Sequence, residues 1–200
     1  SPVAAQSPGS WTSAFAATPD RPWVGPEYWA NPMQDWRVKD HGLECIKAGP
    51  NRSLFLLTRE LSGRAAPFSS TIAVAPMQAA PDKAATAWVG FRIASRGRFG
   101  DYRDDAVYGK GIDAGLRADG SVFIGDSSSA QVGDVSTIRA LRIELVRSGG
   151  GWQLQLRAYS HGQRERARTV LPVPDPTALR GGLAVVCQDA PCRFSEWRAE

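Results

Sequence analysis

Trp29-Ala-Asn-Pro-Met-Gln-Asp-Trp-Arg-Val-Lys-Asp-His-Gly-Leu-Glu-Cys-Ile46 begins as an aromatic segment rich in turn residues and runs directly into alternating apolar and polar positions. Trp36 and Val38 alternate with Arg37 and Lys39, Asp40-His41-Gly42 supplies the turn, and Leu43 and Cys45 then alternate with Glu44. Alternation with a period of two on both sides of a turn is the mark of a half-buried β-hairpin. The pattern repeats along the chain and predicts strands near 36–39, 43–47, 53–58, 69–75, 86–94, 112–117, 121–125, 139–147, 152–159, 165–171, 182–187 and 193–199. No segment carries a stripe with the 3.6-residue period of a helix.

One hairpin yields its register from the letters alone. With Ser148-Gly149-Gly150-Gly151 as the loop, Leu145 faces Leu154, Ile143 faces Leu156 and Leu141 faces Ala158, while Val146 faces Gln153, Glu144 faces Gln155 and Arg142 faces Arg157. A slip of one residue would turn the whole apolar set to the wrong face. The like charges of Arg142 and Arg157 oppose each other, Glu144 lies diagonal to Arg157 and offsets them, and the pair marks either solvated surface or an anion or sugar-acid site. A second hairpin is expected at Asp119-Gly120, a dipeptide suited to a type I′ turn. Many antiparallel strands with frequent turns predict an all-β, two-sheet antiparallel jelly-roll sandwich. Six-bladed and solenoid folds need a repeat, and none is present.

The 200 residues, 42% of them hydrophobic and 22% charged, suit one β-sandwich domain over 23–200. Residues 1–22, rich in Ser, Pro and Ala, read as a tail anchored at Trp11 and Phe15. No apolar run approaches the roughly 20 residues of a membrane helix, so no membrane span is expected. The net charge of +4 is dispersed, and Arg164, Arg166 and Arg168 around Glu165 are the nearest thing to a basic stripe, which argues against nucleic acid as a partner. Cys187 and Cys192 enclose Gln-Asp-Ala-Pro between two apolar runs. That spacing suits a disulfide clamping the link between two strands, with two unpaired thiols as the alternative; a metal would need further ligands that the chain does not supply as a group. Cys45 reads as a small buried hydrophobe.

The chemistry search returns no G-x-S-x-G, H-E-x-x-H, Walker loop or G-x-G-x-x-G. His41 and His161 sit in predicted turns, too isolated to build a two-metal centre. A retaining glycosidase needs two carboxylates about 5 Å apart, and no E-x-D-x-E pattern exists to place them. The best acidic cluster is Asp101, Asp104 and Asp105 around Tyr102 and Arg103, followed by Lys110 and Asp113. These residues suit recognition of a sugar, or Tyr102 and Arg103 the proton donor and neutraliser of a lyase; an Asp–Arg pair fastening a long loop, or a Ca²⁺ site, are the alternatives. No other cofactor is expected. Among the aromatics, Trp36 alternates with Val38 and is assigned to the core, leaving Tyr28 and Trp29 as sugar-stacking candidates. Asn51-Arg52-Ser53 is an N-glycosylation pattern, meaningful only in a eukaryotic secretory host.

Glu27-Tyr-Trp-Ala-Asn-Pro-Met-Gln-Asp-Trp-Arg-Val-Lys-Asp40, Asn51-Arg52 before Leu54-Phe-Leu-Leu-Thr58, Gly90-Phe-Arg92, Asp101-Tyr-Arg103, Gly109-Lys-Gly-Ile-Asp-Ala-Gly115 and the ending Phe194-Ser-Glu-Trp-Arg198 occur in this order. Together they resemble the concanavalin A-like domain that precedes the catalytic domain in some exported bacterial alkaline phosphatase D family metallophosphoesterases. The resemblance covers about residues 23 to 199. It implies a jelly roll of the lectin/glucanase type, a secreted or periplasmic location, and an accessory role beside a covalently linked or partner phosphoesterase domain; it carries over no catalytic residue. The expected function is a non-catalytic lectin-like module that binds carbohydrate or serves such a domain. A glycan-cleaving enzyme and a purely structural domain are the alternatives.

Overall fold

The computed structural model describes residues 9–97, 104 and 111–200. Among the described residues fifteen strands form two antiparallel sheets packed face to face, and every strand expected from the alternation is present. The eight-stranded sheet runs β13 (Arg164–Val173), β12 (Gly151–Ser160), β11 (Ile138–Ser148), β6 (Phe68–Val74), β15 (Cys192–Ala199), β4 (Gly42–Cys45) and β3 (Trp36–Lys39), with β1 (Trp11–Thr12) pairing to β15. The seven-stranded sheet runs β10 (Ser127–Gln131), β9 (Ser121–Ile124), β8 (Ile112–Arg117), β7 (Trp88–Ser95), β14 (Arg180–Gln188), β5 (Arg52–Ser62) and β2 (Tyr28–Asn31).

The β11–β12 hairpin has the register that its letters dictate, from Leu141↔Ala158 to Val146↔Gln153. Its turn residues Gly149 and Gly150 have φ of 59° and 85°, as a type I′ turn requires. Asp40 and His41 turn the β3–β4 hairpin in the same way, with φ of 48° and 63°. The Asp119-Gly120 turn differs from its expected type. Only Gly120 has positive φ, at 89°, and its N–H donates to the Arg117 carbonyl, so the loop is a type I turn closed by a glycine bulge. Asp119 shapes it by accepting from both the N–H and the hydroxyl of Ser121.

Between the sheets lies one continuous core in which Trp36, Trp197, Phe91, Phe194, Leu54 and Leu56 are almost wholly buried. The N-terminal segment closes one end of it. Trp11 stacks edge-on against Trp197 at 5.2 Å, and Phe15 meets Tyr28 at 5.3 Å. The Trp197 indole N–H is satisfied inside the core by Ser70 Oγ at 2.9 Å.

Cys187, the penultimate residue of β14, is disulfide-bonded to Cys192, the first of β15, with a Cα–Cα distance of 5.9 Å. The bond ties the two sheets together where the chain crosses between them. Such bonds persist in oxidising surroundings. Cys45 stands directly opposite Cys192 on β4, 1% exposed, and burial pushes its thiol pKa up to about 11. Because the thiolate is the reactive form, iodoacetamide at pH 8 is expected to leave the native protein unlabelled and to modify one thiol after unfolding without reductant, as read by intact mass. Labelling of the folded protein would contradict this placement.

Glu44 joins Arg37 of β3 to Arg193 of β15. Burial works to raise its pKa, but the hydrogen bonds and charges of the two arginines outweigh burial and hold it below the ordinary value. A carboxylate with a depressed folded pKa stabilises the fold above its unfolded value, about 4.3, and loses that contribution as pH falls through the folded value. Glu44→Gln is therefore expected to cost on the order of 1 kcal/mol at pH 7, a deficit that closes below about pH 4 in urea titrations. A deficit independent of pH would contradict the ionic bridge.

Candidate functional site

Strand β7 alternates Val89, Phe91 and Ile93 toward the core, which places Gly90 and Arg92 on the outer face of the seven-stranded sheet. Arg92 is nonetheless only 5% exposed. Its Nε and Nη2 donate to the two carboxylate oxygens of Asp113, directly opposite on β8, at 2.7 and 3.0 Å, and its Nη1 donates to Asn51 Oδ1 at 2.5 Å. Bidentate geometry fixes the plane of the guanidinium. Asn51 is itself held, with φ of 55°, its N–H donating to Gln188 Oε1 and its carbonyl accepting from Asn31 Nδ2. The Asn51-Arg52-Ser53 acceptor pattern thus falls where Asn51 binds Arg92 and Ser53 is fully buried.

Register carries this centre across the sheet. Asp113, Arg92, Ala184, Phe55 and Trp29 are successive partners on β8, β7, β14, β5 and β2 and so share the outer face. Trp29, half-buried on the edge strand, leans on Phe55 with ring centroids 5.7 Å apart. On the far side of the Arg92–Asp113 pair, Gly90 and Gly115 face each other and contribute no side chain of their own between that pair and the Trp88–Phe123 stack at 5.2 Å. Arg117 covers the Phe123 ring at 3.8 Å. The row therefore carries half-buried Trp29 over fully buried Phe55 at one end and, at the other, an oriented charged pair of which only the Asp113 carboxylate is partly open to solvent.

Of the residues singled out from sequence, Trp29 and Asp113 lie in this one row. Tyr28 does not: it is 8% exposed within the core cluster, and burial pushes the pKa of its phenol up. Asp101, Tyr102, Arg103 and Lys110, with Asp105, lie outside the described residues. They belong to the connection between β7 and β8, the strands that carry Arg92 and Asp113. Arg92 and Asn51 went unrecognised as site residues. The alternation of β7, with an arginine on the face opposite Phe91, was the available signal. Among the described residues no group of three or more His, Cys, Asp and Glu converges as a metal site.

No protein-family model matches the sequence, and no curated protein matches it. Solved structures do match in shape. Lectin I from Ulex europaeus, in complex with the methyl glycoside of α-L-fucose, superposes with a TM-score of 0.56 at 10% identity, covering 95% of this chain and 96% of that one. Lectin I-B4 from Griffonia simplicifolia gives 0.57 at 10% identity over 96% of this chain and 98% of that one. An endo-1,3-β-glucanase from Streptomyces sioyaensis gives 0.52 at 9% identity over 84% and 78%. The chain has the lectin/glucanase jelly-roll fold, and at these identities the likeness establishes the fold alone.

Proposed function

We propose that this chain is a carbohydrate-binding module of an exported protein and that the outer face of its seven-stranded sheet is the glycan surface. The observation that carries this reading is the single register row that joins Trp29 and Phe55 to the Arg92–Asp113 pair. An indole offers a face on which the CH groups of a pyranose pack, and the partly exposed Asp113 carboxylate, oriented by the buried Arg92 guanidinium, supplies a directional acceptor for ring hydroxyls. Asp101, Tyr102, Arg103 and Lys110 complete the proposed contact set from the connection that joins β7 to β8. The Cys187–Cys192 disulfide supports export, and the resemblance to the domain ahead of bacterial phosphoesterases supports an accessory role beside such an enzyme in the periplasm or outside the cell.

A glycan array with the full chain tests the reading. At least one glycan should be retained by the wild type, and Trp29→Ala should weaken that retention about tenfold, the loss of one stacking contact worth roughly 1.4 kcal/mol. No retained glycan, or retention indifferent to Trp29, would overturn it. Release of reducing sugar or of an unsaturated product from the same panel would instead identify a glycan-cleaving enzyme on this fold.

A further inference from the structure

The outer face of the eight-stranded sheet carries a row of its own. Arg168, Arg157, Arg142, Thr71 and Arg198 are successive register partners on β13, β12, β11, β6 and β15. Adjacent strands lie about 4.8 Å apart, so Arg142 and Arg198 stand about 10 Å from each other with one short side chain between them. Over Thr71 this leaves a cleft of about 350 Å³ walled by Arg142, Arg198, Tyr159 and Gln163. Ser69 and Glu200, whose backbones exchange two hydrogen bonds of 2.9 Å, complete it.

The lining is rich in donors. Arg142 Nη2 lies 2.9 Å from Glu144 Oε1, but its Nε is buried and meets no acceptor among the described residues. Arg198 gives its Nε to Glu196 at 2.7 Å, and its side chain is 58% exposed. A guanidinium has five N–H donors, so one carboxylate partner leaves each arginine unsaturated. We propose that this cleft is a subsite for an acidic sugar, a polyhydroxylated ring bearing a carboxylate or sulfate. The oxyanion sits between the two guanidiniums, and the hydroxyls of Ser69, Thr71 and Tyr159 with the Gln163 amide take the ring hydroxyls. Glu144 and Glu196 orient the two guanidiniums from outside the cleft, and Glu200 adds one carboxylate to its rim. The subsite stands on the opposite sheet from the surface proposed above and does not depend on it.

Affinity electrophoresis of the full chain at about 20 mM salt, where surface charges are weakly screened, through gels containing polygalacturonate, dextran sulfate or neutral dextran provides the test. One or both acidic polymers should retard the protein, and the comparison identifies carboxylate or sulfate as the preferred group. Arg142→Gln and Arg198→Gln should each weaken that retardation about tenfold. Thr71→Phe, which keeps every charge but fills the cleft, should do the same. Arg166→Gln, removing an equal charge from an exposed position on edge strand β13, should leave it within about twofold, and so should Trp29→Ala. Retardation by neither acidic polymer would overturn the proposal. Equal weakening by Arg166→Gln would also overturn it by revealing diffuse attraction, as would unchanged binding by the two arginine variants. Should Thr71→Phe not fold, those arginine variants decide the matter alone.

Discussion

Asp113→Ala is expected to lower the unfolding free energy by about 3 kcal/mol, because it strips the bidentate partner from a buried guanidinium and leaves that charge beneath the surface of the sheet. The Arg92 side chain is 6% exposed and that of Asp113 33%, so water reaches the carboxylate end of the pair and holds the cost to the lower part of the range for buried ion pairs. Asp113→Asn keeps the shape and one acceptor and should cost less, about 1 kcal/mol. Urea titrations at pH 7 measure both. A loss under about 0.5 kcal/mol for Asp113→Ala would mean that Arg92 finds other compensation and that the pair does not organise this face.

Gly90→Ala should be as damaging or worse. A Cβ built on Gly90 lies too close to the Ala114 carbonyl oxygen and the Gly115 backbone, and one on Gly115 lies as close to the Val89 carbonyl. These are backbone atoms of the neighbouring strand, so no rotamer change relieves the clash and β7 and β8 would have to part. Overpacking of this kind costs about 3 kcal/mol or more and would unseat Arg92 from Asp113 two residues away. Gly149→Ala, at a turn position with open space around its Cβ and φ of 59°, is the contrasting variant and should cost only about 1 kcal/mol. Equal stability of Gly90→Ala and the wild type in the same titration would show that the close approach of the two strands is not needed.

The parts of the fold that were legible are those where apolar and polar residues alternate without ambiguity. Leu141, Ile143 and Leu145 against Leu154, Leu156 and Ala158 admit only one register, and that register is present. Strand β10, Ser-Ser-Ser-Ala-Gln, has no apolar alternation to betray it, and the two-residue β1 is too short to show a period. Strand β2 hides behind the turn chemistry of Asn31-Pro32. Its pairing with β5, where Leu54-Phe55-Leu56-Leu57 is apolar throughout, leaves no parity by which to choose between neighbouring aromatics. Only register shows that Tyr28, opposite Leu56, points into the core while Trp29, opposite Phe55, points out. The site was half legible for the same reason. Asp113 and Trp29 stood out as chemistry, but Arg92 and Asn51 become partners only when strands distant in sequence are brought side by side.

Backbone amide chemical shifts, followed while the glycan retained on the array is titrated into the protein, test most directly whether the outer face of the seven-stranded sheet is the binding surface. The largest changes are predicted in β2, β5, β7 and β8 around Trp29, Phe55, Arg92 and Asp113. Changes confined to the eight-stranded sheet, or none at saturating glycan, would contradict the account.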